Sequence, residues 1–392
     1  MTCGRRRPVF WAATILMVCL IGIASARVSA QQAPAAQPQP TEAVFKNIQM
    51  FKGVPVDTFF DVMGMFAASM GEDCTFCHLK ESALDRSQFA VLTPKIARAR
   101  QMVAMTNTLN KNFFKGEPRV TCFTCHRGTN APVDSPRLSL QYGEPDDDPN
   151  MMNFPTWDGG NAQQTLDKYL EALGGTAALA KITTFTAKGT YAGFDTGHKE
   201  VPVEIYAKAP NQRTLLVHFG ELGDSYRVFD GKNGWWAGLD APAPLETLTA
   251  GNLDRARIEA TLAFPAGIKQ AWSQWRVGRT AIDDKAVTIL QGTNPGSGLL
   301  PVNLYFDNKT GLLVRWLRWN ATPVGPVPTE INYDDYRDVA GVKMPFTWTA
   351  SQTYMQMTVK LSELRPNVPV NAALLSQPAP AKPLPPAPSA AR

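Results

Sequence analysis

The sequence predicts a multidomain protein, with an α-helical module first and an antiparallel, curved β-sheet or half-barrel with a few helices after it. Three observations lead there. Between Val54 and Phe114 apolar residues recur at helical spacing in two runs, and each run leads into the same pattern, Cys74-Thr75-Phe76-Cys77-His78 and Cys122-Phe123-Thr124-Cys125-His126. From Thr183 to Leu364 the spacing changes to strand alternation, clearest in Val201 to Tyr206 and Gly311 to Trp316. Turn signals then recur at short intervals, at Asp230-Gly231, Asn233-Gly234, Asn308 to Gly311 and Ala340-Gly341.

The two pentads carry the chemistry. C-x-x-C-H is the attachment signature of c-type haem. Two thiols three residues apart can share one side of a helical turn, where both can form thioethers to one porphyrin, and the following His sits under the iron. One such motif could equally serve zinc or thiol redox chemistry. Two copies point to two covalently bound c-type haems, with Cys74, Cys77, Cys122 and Cys125 as thioether donors and His78 and His126 as iron ligands. The helical part is thus expected to be a multihaem module.

The remaining cysteine usage agrees. Of six cysteines, Cys3 and Cys19 lie in an N-terminal stretch that reads as a secretory signal over residues 1–30. Arg5-Arg6-Arg7 is its positive region, Val9 to Ala24 its apolar run, and Ala26 or Ala30 a cleavage point. The other four cysteines are all in the pentads, so an exported chain keeps cysteine only for cofactor attachment. The formal charge of +5 includes Arg5, Arg6, Arg7 and Arg27 of that leader, which leaves +1. No basic stripe with interleaved aromatics is present, and no nucleic-acid partner is expected.

In chain order, residues 31–44 form a flexible linker rich in Pro, Ala and Gln. Val54-Pro55-Val56-Asp57 starts the first helix, with Asp57 as its cap, and Phe59, Met63, Phe66, Ala67 and Met70 form its apolar face up to Gly71. Thr93-Pro94 opens the second helix, whose face carries Met102, Met105, Leu109 and Phe113. Each haem motif therefore follows a methionine-bearing helix and a turn, an internal repeat within a dihaem domain at 45–130. A linker follows at 131–160. A β-rich domain occupies 161–370, beginning with a helix from Leu166 to Ala180 that Gly174-Gly175 interrupts. A Pro/Ala-rich tail fills 371–392.

The second axial ligand to each iron must come from elsewhere. His198 and His218 lie in the strand region and are poor candidates. Methionine is better, because a thioether is a soft ligand and Met/His ligation raises the potential of cytochromes c. Spacing leaves Met63, Met65 and Met70 open on the first helix, and Met102 and Met105 on the second.

Residues 45–130 resemble the cytochrome c subunit of photosynthetic reaction centres. The resemblance rests on Met63 through Met70-Gly71 with the first pentad, and on Ala99-Arg100-Gln101-Met102-Val103-Ala104-Met105-Thr106 continuing to the second pentad and Arg127-Gly128. In that family a Met of the preceding helix is the distal ligand, which implies Met63 and Met102 here and leaves Met105 to packing. The family subunit has four haems, whereas this sequence has motifs for two. The family's loop His is missing from Asn112-Phe113-Phe114-Lys115-Gly116-Glu117-Pro118. The β-rich part resembles periplasmic lipoprotein-carrier-like (LolA-like) domains at Leu166 to Gly175, at Tyr305-Phe306-Asp307 with Thr310 to Leu313, and at Asp335 to Phe346. That implies a curved sheet around an apolar hollow for a lipid, a quinone or a docking partner. Trp235, Trp236, Trp316 and Trp319 are candidates to line it, and the alternative is a scaffold for the cytochrome.

The expectation is a periplasmic or membrane-associated dihaem cytochrome rather than an enzyme. It would pass single electrons between redox protein partners, as donor to a membrane photosynthetic or respiratory electron-transfer complex. Two other classes compete. A haem peroxidase or reductase would need an open iron position, and a redox sensor would bind an apolar ligand or partner on its β domain.

Overall fold

The architecture is set by two meanders, the second of which returns to pair with the start of the first. The computed structural model describes residues 37–83, 85–135, 152, 157 and 159–382. The leader, most of the 131–160 linker and the end of the tail lie outside the described residues. Thirteen antiparallel strands form one open sheet. The first six are β1 Thr184–Gly193, β2 Val201–Lys208, β3 Gln212–His218, β4 Asp224–Phe229, β5 Gly234–Ala237 and β6 Glu246–Thr247. The rest are β7 Gln274–Ile282, β8 Lys285–Thr293, β9 Val302–Asp307, β10 Leu313–Thr322, β11 Gly325–Val339, β12 Val342–Gln352 and β13 Gln356–Pro366. Their order in space is β6-β5-β4-β3-β2-β1-β13-β12-β11-β10-β9-β8-β7, so two meanders meet where β1 pairs with β13.

The tight turns fall where the sequence signals them. Asp230 accepts from the Lys232 and Asn233 amides at 2.8 and 2.6 Å between β4 and β5. Asp307 accepts from the Thr310 amide at 2.6 Å between β9 and β10, and Ala340-Gly341 turns β11 into β12 at positive φ.

This order puts β6 and β7 at opposite edges, so the chain between them must cross a sheet face. It does so as a helix, Ala250–Ala263, which packs on β3, β4 and β10. The sequence reading misses this helix. Ala-Gly-Asn-Leu-Asp-Arg-Ala-Arg-Ile has no apolar stripe, because polar groups as well as apolar ones face inward: Asp254 and Ile258 are both buried. The predicted helix at 166–180 is two helices, Ala162–Ala172 and Thr176–Leu179, split at Gly174-Gly175.

Both sheet faces are covered. Adjacent residues of β10 show it: Trp316 belongs to the main core beneath the helices, and Leu317 to a second core with Val287, Ile289, Tyr305 and Trp319. Trp235, Trp316 and Trp319 are buried as packing, while Trp236 lines a cavity.

Numbered in chain order, the helices are α1 Thr41–Val44, α2 Val56–Met70, α3 Pro94–Phe113, α4 Cys122–His126, α5 Ala162–Ala172, α6 Thr176–Leu179 and α7 Ala250–Ala263. Helix α2 joins the N-terminal helices to the sheet, and it does so with the face opposite to the one the apolar pattern singles out. Phe59, Met63, Phe66, Ala67 and Met70 are only half-buried, whereas Asp57, Asp61, Val62, Met65 and Ser69 are buried. Pro55 holds the cap position. Asp57 is not a cap but a docking group, which accepts from the Thr249 amide and hydroxyl at 2.6 and 2.7 Å. Asp61 accepts from the side-chain amides of Asn252 at 2.9 Å and Asn320 at 2.7 Å. Val62 and Met65 close on Val324 and Val327 of the β10–β11 hairpin.

Removing the Asp61 carboxylate would leave the buried Asn320 amide and the half-buried Asn252 amide without their acceptor. Asp61→Ala should lower the unfolding free energy by about 2 kcal/mol, and Asp61→Asn by less, in urea denaturation. Burial pushes Asp57 up to about 6. The native state therefore holds that proton to higher pH than the unfolded chain does, and stability falls as pH rises from about 4 through about 6. Urea midpoints across that range should show the fall, and Asp57→Asn should reduce its slope, with buried Glu246, also raised, carrying the remainder.

Candidate functional site

Each pentad sits on a capped turn, and the caps come from the residue just before the first Cys. Asp73 accepts from the Thr75 amide at 2.7 Å and starts a 3-10 turn at Cys74–Phe76. The His78 amide then bonds the Cys74 carbonyl at 3.0 Å. Thr121 accepts from the Thr124 amide at 3.3 Å, and the Thr124 hydroxyl accepts in return from the Thr121 amide at 3.0 Å, a capping box inside the motif itself. In both motifs the His lies about one turn beyond the first Cys.

Helices α2 and α3 hold the two motifs together. Thr93, the cap of α3, donates its hydroxyl to the Cys77 carbonyl at 2.6 Å. Near the other end of α3, Asn110 donates to the Val120 carbonyl and accepts from the Val120 amide, both at 2.8 Å, and so fixes the chain leading into the second motif. The end of α2 is tied to the end of the second motif, where the Gly128 amide donates to the Ser69 carbonyl at 2.9 Å. Gly71 closes α2 at φ +66°, and a Cβ there would lie 2.4 Å from the Gly128 carbonyl oxygen. The two repeats are thus packed units of one structure rather than beads on a string.

The donor atoms suit covalent haem. All four pentad cysteines are free thiols. Burial pushes Cys74, Cys77 and Cys122 above the usual thiol range, so they lack the lowered pKa of a redox C-x-x-C. The His126 ring is oriented by its Nδ1, 3.1 Å from the Thr129 carbonyl. A carbonyl can only accept, so Nδ1 carries the proton and Nε2 presents its lone pair, the tautomer an iron ligand needs. His78 packs edge-on against Phe89, with 4.9 Å between ring centroids. Its Nδ1 is buried without a hydrogen-bond partner. Burial depresses its pKa, and the Phe89 backbone opposes this from beyond hydrogen-bond geometry.

The methionines separate by environment. Met65 is buried against the β10–β11 hairpin and is committed to packing. Met63 is half-buried and packs at the margin of that cluster, and Met70 is half-buried at the end of α2. On α3, Met102 is half-buried, whereas Met105 is 44% exposed and packs little. The buried face of α3 is Val103, Thr106 and Asn110 rather than the Met102–Phe113 stripe, in which Met102 and Leu109 are half-buried and Phe113 is 73% exposed. Among the described residues, six of the eight large exposed apolar side chains lie between Val91 and Phe123. They include Phe123 of the second pentad and residues flanking both ends of α3. The other histidines do not bear on the site as described: His198 lies in the turn after β1, and His218 pairs with Asp224 at 2.8 Å.

Residues 20–167 match the family model of the photosynthetic reaction centre cytochrome C subunit. The match is wider than the 45–130 stretch that carries the motif resemblance. A photosynthetic reaction center cytochrome c subunit from Roseobacter denitrificans is 31% identical over 98 residues, which span 23% of this chain and 26% of that relative. The chain thus aligns with about a quarter of the relative's length. Among solved structures, a DUF1329 family protein from Desulfovibrio piger has a TM-score of 0.39 at 10% identity, over 55% of this chain and 96% of that one. A LolA superfamily protein from Nitrosomonas europaea has a TM-score of 0.36 at 11% identity, over 55% of this chain and 98% of that one.

The Gly71 contact gives a direct test of the packing between repeats. Gly71→Ala forces a left-handed backbone on alanine and a clash with Gly128, and should cost about 2–4 kcal/mol. Thermal unfolding followed by circular dichroism measures it; Gly53→Ala, at a positive φ with open space around it, should cost less.

Proposed function

We propose that the chain is an exported dihaem c-type cytochrome that passes single electrons to or from a membrane electron-transfer complex. The observation that carries this reading is the pair of capped C-x-x-C-H turns held together by α2 and α3, with the four pentad cysteines free and the His126 ring set in the ligating tautomer. In this reading residues 1–30 are a leader, 45–130 the dihaem domain and 161–370 the β domain, with 31–44 and 131–160 as linkers and 371–392 as a tail. Among the described residues no helix is long and apolar enough to cross a membrane.

Cys74 and Cys77 would hold one haem, and Cys122 and Cys125 the other. His78 and Met63 would ligate the first iron, and His126 and Met102 the second. When bound, each haem supplies a one-electron ferrous/ferric couple, and two filled axial positions favour electron transfer over oxygen or peroxide chemistry. The protein's own part is to fix the ligands and cover the rings. Thr129 orients His126, Thr93 and Asn110 hold the motif backbones, and the apolar residues between Val91 and Phe123 exclude water. The family match supports a photosynthetic partner, and a respiratory complex would use the same chemistry.

A second role rests on a separate observation. An apolar cavity of about 90 Å³ lies under α5 and α7, lined by Tyr169, Leu173, Phe185, Leu262, Phe264 and Trp348. A lipid or a quinone on the β domain would enter this hollow only in part, since sites for whole ligands run to about 300 Å³ or more.

Haem quantitation on the purified protein should give two per chain, and Cys74→Ser with Cys77→Ser should give one. Met63→Ala and Met102→Ala should each convert one haem from a low-spin to a high-spin spectrum. Two unchanged spectra would remove these methionines from the ligand set, and fast peroxide turnover by the wild type would favour an enzyme instead.

A further inference from the structure

A second cavity, of about 70 Å³, lies between α2, α7 and the sheet, and its wall holds Asp57, Asp61, Glu246, Phe60, Trp236 and Tyr354. Glu246, on edge strand β6, is 3% exposed, and neither of its carboxylate oxygens has a hydrogen-bond partner. A buried carboxylate in that condition costs several kcal/mol unless it is protonated or paired with a cation. Its neighbours do not supply the pair. The wall arginines are engaged elsewhere: Arg213 and Arg255 each meet Glu259 at 2.9 Å, and Arg227 meets Asp240 at 3.2 Å. Arg86 acts on Glu246 through space, but it donates its hydrogen bonds to the Leu239 and Pro242 carbonyls. Asp57 and Asp61 add two more carboxylates bonded to neutral donors.

The rest of the wall is aromatic. Phe60 meets Tyr354 edge-on at 4.6 Å and Trp236 at 6.4 Å between centroids. Trp236 already carries the Arg227 guanidinium over its ring at 4.9 Å, so this wall accepts cations. A free two-oxygen acceptor beside aromatic faces, in a space for a handful of heavy atoms, matches one ligand class.

We propose that this cavity binds a small organic cation, an alkylammonium or alkylguanidinium ion, with Glu246 as its carboxylate anchor and Phe60, Trp236 and Tyr354 as its aromatic wall. The proposal is independent of the cytochrome reading, since none of these residues belongs to the pentads or to the methionine ligands. Burial, with Asp57 and Asp61 nearby, raises Glu246 well above the usual carboxylate range, so the bound cation would take the place of a proton.

The test uses the full-length protein with its haem content as isolated. Melting curves are recorded with ethylammonium or methylguanidinium chloride at about 10 mM, against sodium chloride at equal ionic strength. At least one cation should raise the wild-type Tm by about 2 °C or more, and titration calorimetry should show its affinity falling about tenfold or more in Glu246→Gln. No shift with either cation, or an unchanged affinity in Glu246→Gln, overturns the proposal. If Glu246→Gln does not fold, Phe60→Leu decides: a weakening of about threefold or more supports the site, and an unchanged affinity overturns it.

Discussion

Helix α2 meets the sheet through two buried carboxylates, and most of the arrangement depends on that contact. Asp57 takes both the amide and the hydroxyl of Thr249 where α7 begins, and Asp61 takes the amides of Asn252 on α7 and Asn320 on β10. Neutral donors meet charged acceptors here, so the bonds are stronger than neutral pairs yet need no buried counter-ion. They are also directional. Val62 and Met65 packing on Val324 and Val327 would tolerate small rotations of the helix, whereas four hydrogen bonds to α7 and β10 would not. The polar contact fixes which side of α2 looks at the sheet, and leaves Phe59, Met63, Phe66 and Met70 only half-buried, with Met63 and Phe66 at the margin of the contact made by Val62 and Met65.

The same helix organises the other side of the molecule. Its last turn is bonded to Gly128 beyond the second pentad, and α3 reaches from Cys77 to Val120. The two motifs are near each other because one helix end and one helix length span them, not because the loops are short. A residue such as Gly71 then matters twice, for its left-handed φ and for the 2.4 Å that a side chain would leave to the Gly128 carbonyl. The Gly325 turn of the β10–β11 hairpin approaches both Thr121 and Met65, so the cap of the second motif also lies close to the sheet.

What could be read from the sequence divides along physical lines. The pentads, the Thr93-Pro94 helix start, the Gly71 stop and the hairpin turns were legible because each depends on local chemistry: thiol spacing, a cap, a positive φ. The faces of α2 and α3 were not. Apolar periodicity identifies a buried face only when burial is hydrophobic, and α2 buries Asp57 and Asp61 while α3 buries Thr106 and Asn110. The apolar stripes, Phe59 to Met70 and Met102 to Phe113, stay half-buried or exposed instead. Helix α7 escaped for a related reason, since it spans the sheet with Asp254 and Ile258 both inward and shows no stripe. Glu246 carried no sequence signal at all, because an unpartnered carboxylate is defined by neighbours far away in the chain.

These misreadings share a cause that bears on the proposed role. A helix that puts polar groups toward its own scaffold and apolar groups outward is inverted relative to an ordinary surface helix. Inversion is costly in water unless something apolar covers the outer face. Helix α3 is inverted in this sense. Helix α2 buries Asp57 and Asp61 beside Val62 and Met65, with Phe45 and Phe51 partly covering Phe59 and Phe66. Both precede a C-x-x-C-H turn, whereas α5, which precedes none, buries Leu166, Tyr169 and Leu170 in the usual way. A large apolar group held at each turn would cover such stripes and give the inversion a physical reason. Two porphyrins are groups of that size, and the pentads are the chemistry that would fasten them there.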